Sequence, residues 1–205
     1  MCNLYNLKVT RAEIVAYFEA NDDWRQDLEK DYVSPSREGL VVTSAEGTRS
    51  LTGMRWGFPH WQPGQKEVVN VRNYGSSFWR SALKNPERRC LVPFTEFQEW
   101  SVEPDPVTGK KTKHWFSIPS RPIGVFAGVW RPTDTGPRFA FLTCGYSTDP
   151  DAEKEAAAVH IVGAIHPKAI PVILHDEDFD RWLQAPIDEA LGLACAFPSQ
   201  LLSVK

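Results

Sequence analysis

The sequence predicts an α+β protein with a mainly antiparallel, barrel-like β-sheet core and peripheral helices. Three observations carry that expectation. Many apolar runs are short, rich in β-branched and aromatic residues, and split by Pro and Gly. Helical patterns fall near the two ends and in brief interludes, without regular alternation with strands. The 205 residues are 42% hydrophobic, with no internal repeat and no composition break, so residues 1–205 are expected to form one domain around a substantial core.

The elements follow in order. A capping box, Thr10-x-x-Glu13, opens a helix whose apolar face is Ile14, Val15 and Phe18; Asn21 and the two aspartates after it end it. Short β-like runs such as LVVT (40–43) occupy Tyr32 to Trp56, ahead of the Pro-rich loop PHWQPGQ (59–65). A second short helix is expected over Ser77 to Lys84, and CLVP (90–93) begins a strand leading to EFQEW (96–100). WFSI (115–118) and GVFAGVW (124–130) are expected to form a strand pair around a proline-bearing turn, and polar DPVTGKKTK (105–113) an exposed, mobile hairpin loop. FAFLTC (139–144) and IPVIL (170–174) read as buried strands, Asp149 to Val159 as a loop with a short helical turn. Helices around 179–183 and 187–193 close the chain.

Composition narrows the function classes. Cys2, Cys90, Cys144 and Cys195 lie far apart with no C-x-x-C pair, so neither a zinc site nor a disulfide scaffold is signalled, and no cofactor motif stands out. Reduced thiols, no leader-like N-terminus and no apolar run of about 18 residues predict a cytoplasmic protein without a membrane anchor. A net charge of −3 argues against indiscriminate coating of nucleic acid, but the charge is unevenly spread. Residues 54–91 hold seven Lys or Arg against two Glu, a local +5 that leaves −8 elsewhere. Interleaved with Trp56, Phe58, Trp61, Tyr74, Phe78 and Trp79, this segment suits phosphates and unstacked bases, and equally a solvated face over an aromatic core.

The chemistry begins at position 2. Removal of Met1 leaves Cys2 with an α-amine and a thiol on adjacent carbons. Such a 1,2-aminothiol condenses with an aldehyde through nitrogen and then closes through sulfur to a five-membered thiazolidine. With a reference pKa of about 7.7–8.0, roughly a tenth to a fifth of an α-amine is free base at pH 7, against well under 0.1% of a lysine. A small residue at position 2 also serves simply to permit methionine removal.

Three further segments supply partners. Strand alternation in NVRN (70–73) places Asn70 and Arg72 on one face, an amide to orient an amine or sugar hydroxyl and a guanidinium to grip phosphate. In FTEFQEW (94–100), Glu99 sits among aromatics that would desolvate it and raise its pKa toward neutrality; Glu96 competes for the role. In IHPKAIPVIL (165–174), His166 is held extended by Pro167 and is a candidate proton shuttle, with His160 and His175 as alternatives.

Together MCNLY, RWGFPHW (55–61), NVRN, RRCLVPFTEFQEW (88–100), FAGVW (126–130) and IHPKAIPVIL resemble the SRAP (SOS response-associated peptidase) family, in order over most of the chain. The resemblance implies an abasic-site sensor that crosslinks to single-stranded DNA, including DNA at single-strand/duplex junctions, through a thiazolidine at Cys2. It implies that Asn70 orients the amine and sugar, Glu99 manages protons, and His166 assists ring opening. Arg72 would hold the neighbouring phosphate, with Arg80 and Arg55 as further DNA-binding cations, and Trp56 and Trp100 would pack beside the lesion. In a bacterium the protein would associate with the nucleoid. The chain departs from the family pattern at Asn3-Leu4, where many relatives carry Gly-Arg, and at Asn73, Tyr74 and Pro167. Two other function classes fit the residues: an N-terminal-nucleophile cysteine peptidase or amidase whose own amine is the base, and a noncatalytic single-strand binding module.

Overall fold

A computed structural model describes residues 2–205 apart from Asp27, Glu29, Trp61 and Pro63. The chain forms β1 (Tyr5–Asn6), α1 (Arg11–Phe18), β2 (Asn21–Asp22), β3 (Tyr32–Val33), β4 (Glu38–Ala45) and β5 (Thr48–Trp56). Next come β6 (Asn70–Val71), α2 (Ser77–Lys84), β7 (Arg89–Phe94), β8 (Glu96–Pro104), β9 (Lys111–Ser117), β10 (Gly124–Arg131) and β11 (Arg138–Cys144). The last part holds α3 (Glu153–Val159), β12 (Ile170–Pro171), α4 (Phe179–Gln184), α5 (Ile187–Leu191) and β13 (Ser203–Val204).

The strands make two sheets, and the predicted α+β class holds. One runs β12-β11-β10-β7-β4-β5-β2, with β6 added to β11; the other runs β13-β9-β8-β1-β3. Antiparallel pairs dominate, and a short parallel contact of β5 with β11 (Arg55 beside Arg138, Trp56 beside Phe139) curls the larger sheet back on itself. The result is twisted and partly ring-like, short of a closed barrel. Its interior is aromatic: Phe126 stacks on Phe94 at 4.0 Å and on Phe141 at 4.5 Å, and Tyr5 packs at 5.5 Å from Trp56. Gly124 is required at this packing, because a Cβ there would lie 2.3 Å from the Phe94 ring.

Local chemistry explains the elements that match expectation. The Thr10 hydroxyl accepts from the Glu13 amide while the Glu13 carboxylate accepts from the Thr10 amide, closing the capping box; Ile14 and Phe18 are buried and Val15 half-buried. Ser76 caps α2, which buries Trp79, Ala82 and Leu83. Both closing helices form, as does a short helix within 149–159. Part of the Pro-rich loop, Trp61 and Pro63, lies outside the described residues, as does Met1.

Three expectations are corrected. WFSI and GVFAGVW do not pair: β9 joins β8 through the 105–110 turn, while β10 lies in the other sheet between β7 and β11. The chain break that separates the sheets is Thr95, whose amide and hydroxyl both bond the Asn6 carbonyl, so the continuous run expected over 90–100 splits into β7 and β8. The IPVIL strand is also shorter than expected. Ile170–Pro171 pairs with β11, and the buried residues 172–174 then cross to β10 as an isolated bridge, Ile173 opposite Phe126, with the Val172 carbonyl accepting from the Ala127 amide and the Leu174 amide donating to the Val125 carbonyl.

Candidate functional site

Cys2 is positioned by β1. Tyr5 pairs with Phe97 and Asn6 with Glu96, antiparallel, and the Gln98 amide donates to the Leu4 carbonyl at 2.9 Å. Extending that register sets Asn3 opposite Glu99, so the start of the chain runs alongside the carboxylate-bearing part of β8. From the other sheet, β6 lies parallel to β11, and the buried Asn70 Nδ2 donates to the Cys2 carbonyl at 3.1 Å. Asn70 Oδ1 is buried and has no donor among the described residues. His166 is delivered by the turn preceding β12; its carbonyl accepts from the Tyr146 hydroxyl at 2.7 Å, and its Nε2 lies 4.0 Å from Glu99 Oε2. The structure thus brings Cys2, Asn70, Glu99 and His166, predicted from four separate segments, to one place between the two sheets.

Electrostatics differentiates these groups. Glu99 is 1% exposed, and burial pushes its carboxyl up to about 7. Burial and neighbouring positive charge, that of Lys168 included, push His166 below its ordinary value, which favours neutral imidazole at pH 7. The Cys2 thiol is fully buried, hydrogen-bonds weakly to the Leu4 carbonyl at 3.5 Å, and is pushed well up, first by burial and then by the Glu99 charge. It is a neutral thiol, with no activated thiolate. A carboxyl titrating near 7 can both give and take protons at neutral pH.

The alternatives are engaged elsewhere. Glu96 is bound by Lys8 and by the Asn6 amide, whose hydrogen bonds outweigh its desolvation and hold its carboxyl below the usual range. His160 bridges the Phe197 carbonyl and the Val162 amide, and His175 packs on the Phe197 ring. Among the described residues no group of three His, Cys, Asp or Glu could hold a metal ion.

Two clefts meet at Asn3. One, of about 700 Å³, is lined by Cys2, Asn3, Pro35, Ser36, Lys66 and Asn70 among others; the second, of about 230 Å³, holds Glu99, Trp100, His166, Lys111 and Lys168. Trp100 is half-buried beside the second cleft. Arg72 is exposed, unlike Asn70, and donates to the Lys168 carbonyl at 2.6 Å, bracing the His166 loop. Arg80 and Arg55 are exposed, on α2 and β5, and line neither cleft, although Arg55 lies within electrostatic reach of Glu67 at the edge of the larger one.

Trp56 corrects the picture of an exposed aromatic strip. It is 0% exposed, donates to the Val69 carbonyl at 2.8 Å and packs on Phe141, so it shapes the core and has no face for a lesion. Phe58 and Trp79 are buried too, and Arg131 lies over the Phe58 and Phe78 rings at 4.7 and 4.6 Å. Within the basic segment, Arg89 is wholly buried and donates to the Leu83, Trp182 and Ala185 carbonyls. The sequence reasoning did not single out Tyr146, Lys111 or Lys168. Lys111 had a signal in the lysine-rich turn GKKTK, but which cleft it enters depends on the β8–β9 pairing.

Fold and site define an α+β protein with a cysteine, amide, carboxylate and histidine gathered between a curled sheet and a second, smaller one. The chain belongs to the family described as SOS response associated peptidase (SRAP), whose model matches residues 1–204. It is similar in fold to a protein from Bordetella bronchiseptica, with 20% identity over 99% of this chain and 98% of the other and a TM-score of 0.75. A protein from Bacteroides thetaiotaomicron is similar with 19% identity over 99% and 90%, TM-score 0.75. A phage-related protein from Bordetella bronchiseptica is similar with 18% identity over 100% and 93%, TM-score 0.73. No curated protein matches the chain. Among the described residues no helix is long and apolar enough to cross a membrane.

Proposed function

We propose that this protein senses abasic sites in single-stranded DNA and crosslinks to them through a thiazolidine at Cys2. The observation that carries the reading is the placement of the Cys2 backbone between Asn70 and a carboxyl titrating near neutrality, with His166 alongside. Family membership supports the DNA role.

His166 takes the C1′ hydroxyl proton as the deoxyribose C1′–O4′ bond breaks and passes it to O4′, which becomes the 4′ hydroxyl, leaving C1′ as the aldehyde and the imidazole neutral again. The Cys2 α-amine, present once the Met1–Cys2 bond is cut and oriented by Asn70 Oδ1, adds its lone pair to C1′, and one of its own protons passes to the carbonyl oxygen, now a hydroxyl, to give a neutral carbinolamine. Glu99, as the acid, protonates that hydroxyl, which leaves as water to give the protonated imine. Sulfur then attacks the same carbon; its proton passes to the Glu99 carboxylate, and the former imine nitrogen remains as the ring amine. The net change is one aldehyde plus one aminothiol to one thiazolidine plus one water. A neutral, buried thiol fits this order, in which nitrogen reacts first. It fits less well a peptidase, whose first step needs sulfur as nucleophile.

The test is incubation of protein with a confirmed cysteine N-terminus with single-stranded DNA carrying one abasic site, followed by denaturing electrophoresis. A shifted, heat-stable band that requires the aldehyde is expected. Amide turnover without any adduct would establish the peptidase reading, and affinity with neither product would establish a binding module.

A further inference from the structure

We propose that the β8–β9 hairpin is a second DNA contact, in which Lys111 and Lys113 hold phosphates of the strand leaving the reaction centre and the Trp100 ring lies against the intervening sugar or base. The inference rests on the DNA reading above and extends it to β9, a strand that reading does not use.

The geometry carries it. Lys111 and Lys113, two apart on β9, project from the same face of the hairpin. Trp100 pairs directly across from Lys113, and the Lys113 Nζ lies 5.1 Å from the centre of the Trp100 ring. Lys111 lines the same small cleft as Glu99 and His166, and so does Lys168, on the loop braced by Arg72. Two cations therefore converge from separate elements on the exit of the proposed reaction centre.

These charges are uncompensated. Lys111, Lys113 and Lys168 are exposed, and none has an anionic partner among the described residues. The nearby Asp105 carboxylate is occupied by the Val107 and Thr108 amides, which form the turn, so it is directed into the hairpin's own backbone. Apart from the Lys113 contact with the Trp100 ring, the lysine side chains are not tied into the fold by hydrogen bonds to the described residues. Exposed lysines beside a half-buried tryptophan are the elements of a single-strand track, in which cations follow the backbone and a ring accepts a base.

The experiment measures binding of a single strand bearing a tetrahydrofuran abasic analogue, which has no aldehyde, by anisotropy over a series of salt concentrations. Lys111→Gln with Lys113→Gln is expected to lower affinity about tenfold at low salt and to flatten the slope of log K against log salt by about 1.4, since each single-strand phosphate contact contributes about 0.7. Each single variant should give about half that change in slope. Lys154→Gln, an exposed lysine on α3, controls for net charge and should keep the wild-type slope. A wild-type slope in the double variant, with an unchanged melting temperature, overturns the proposal, as does an equal flattening by Lys154→Gln. Wild-type protein that binds the analogue steeply but forms no adduct with a true abasic site sinks the crosslinking reading alone. Absence of binding by wild type sinks both.

Discussion

Cys2→Ser is expected to reduce the heat-stable DNA adduct to background while leaving an imine that borohydride can trap. The substitution keeps the α-amine, which has the free-base population needed for the first step, and replaces only the second nucleophile. Oxygen closes onto an imine carbon more weakly than sulfur, and the resulting oxazolidine reopens in water. Cys2→Ala loses the stable adduct as well. Because the thiol is buried, unionised and held near the Leu4 carbonyl, its role is ring closure from a position already next to the imine carbon. Equal amounts of heat-stable adduct from the serine variant and wild type would refute thiazolidine closure. The measurement is denaturing electrophoresis with and without borohydride.

Glu99→Gln should slow crosslinking by about 10²- to 10⁴-fold, the usual range for loss of a general acid or base. Its pH profile should change shape as well. Wild type needs a free amine, favoured at high pH, and a protonated Glu99, favoured below about 7, so its rate peaks near neutrality and declines above. In the glutamine variant that decline disappears. Stability should move the opposite way to activity. A carboxyl raised from 4.5 to about 7 binds more protons in the folded state than in the unfolded one, so its contribution is present below the unfolded pKa and is lost as pH rises through 7. Glutamine, neutral at every pH, should therefore match wild type near pH 4 and exceed it near pH 8 by up to ~3 kcal/mol. Urea unfolding at both pH values reads the difference. A variant less stable than wild type near pH 8 would make Glu99 a structural anion instead of a proton carrier.

Proton chemistry at Glu99 was legible in the chain because desolvation is partly local: the residue sits in FTEFQEW, and its aromatic neighbours predict a raised pKa. The helices at 11–18 and 77–84 were legible for the same reason, since capping and one buried face are short-range properties. Strand partners were not. That β9 pairs with β8 and leaves β10 to the other sheet depends on contacts such as Phe97 on Phe116, at 5.3 Å, which no local pattern specifies. Burial of Trp56 was hidden similarly: an aromatic among arginines reads alike as a stacking platform or a core residue until the rings of Tyr5, Phe139 and Phe141 close around it. The state of the Cys2 thiol depends first on its burial between the sheets and then on Glu99, 97 positions along the chain, and so became visible only in three dimensions.

In the proposed reaction Cys2 acts as an N-terminal residue, through its amine and its thiol together. Intact mass spectrometry after reaction with abasic single-stranded DNA, comparing protein that begins at Cys2 with a form extended at its N-terminus, tests it most directly. The mature protein should give a species equal to protein plus DNA minus one water, and the extended form, thiol intact, should give none. A heat-stable adduct of the extended protein would contradict the claim.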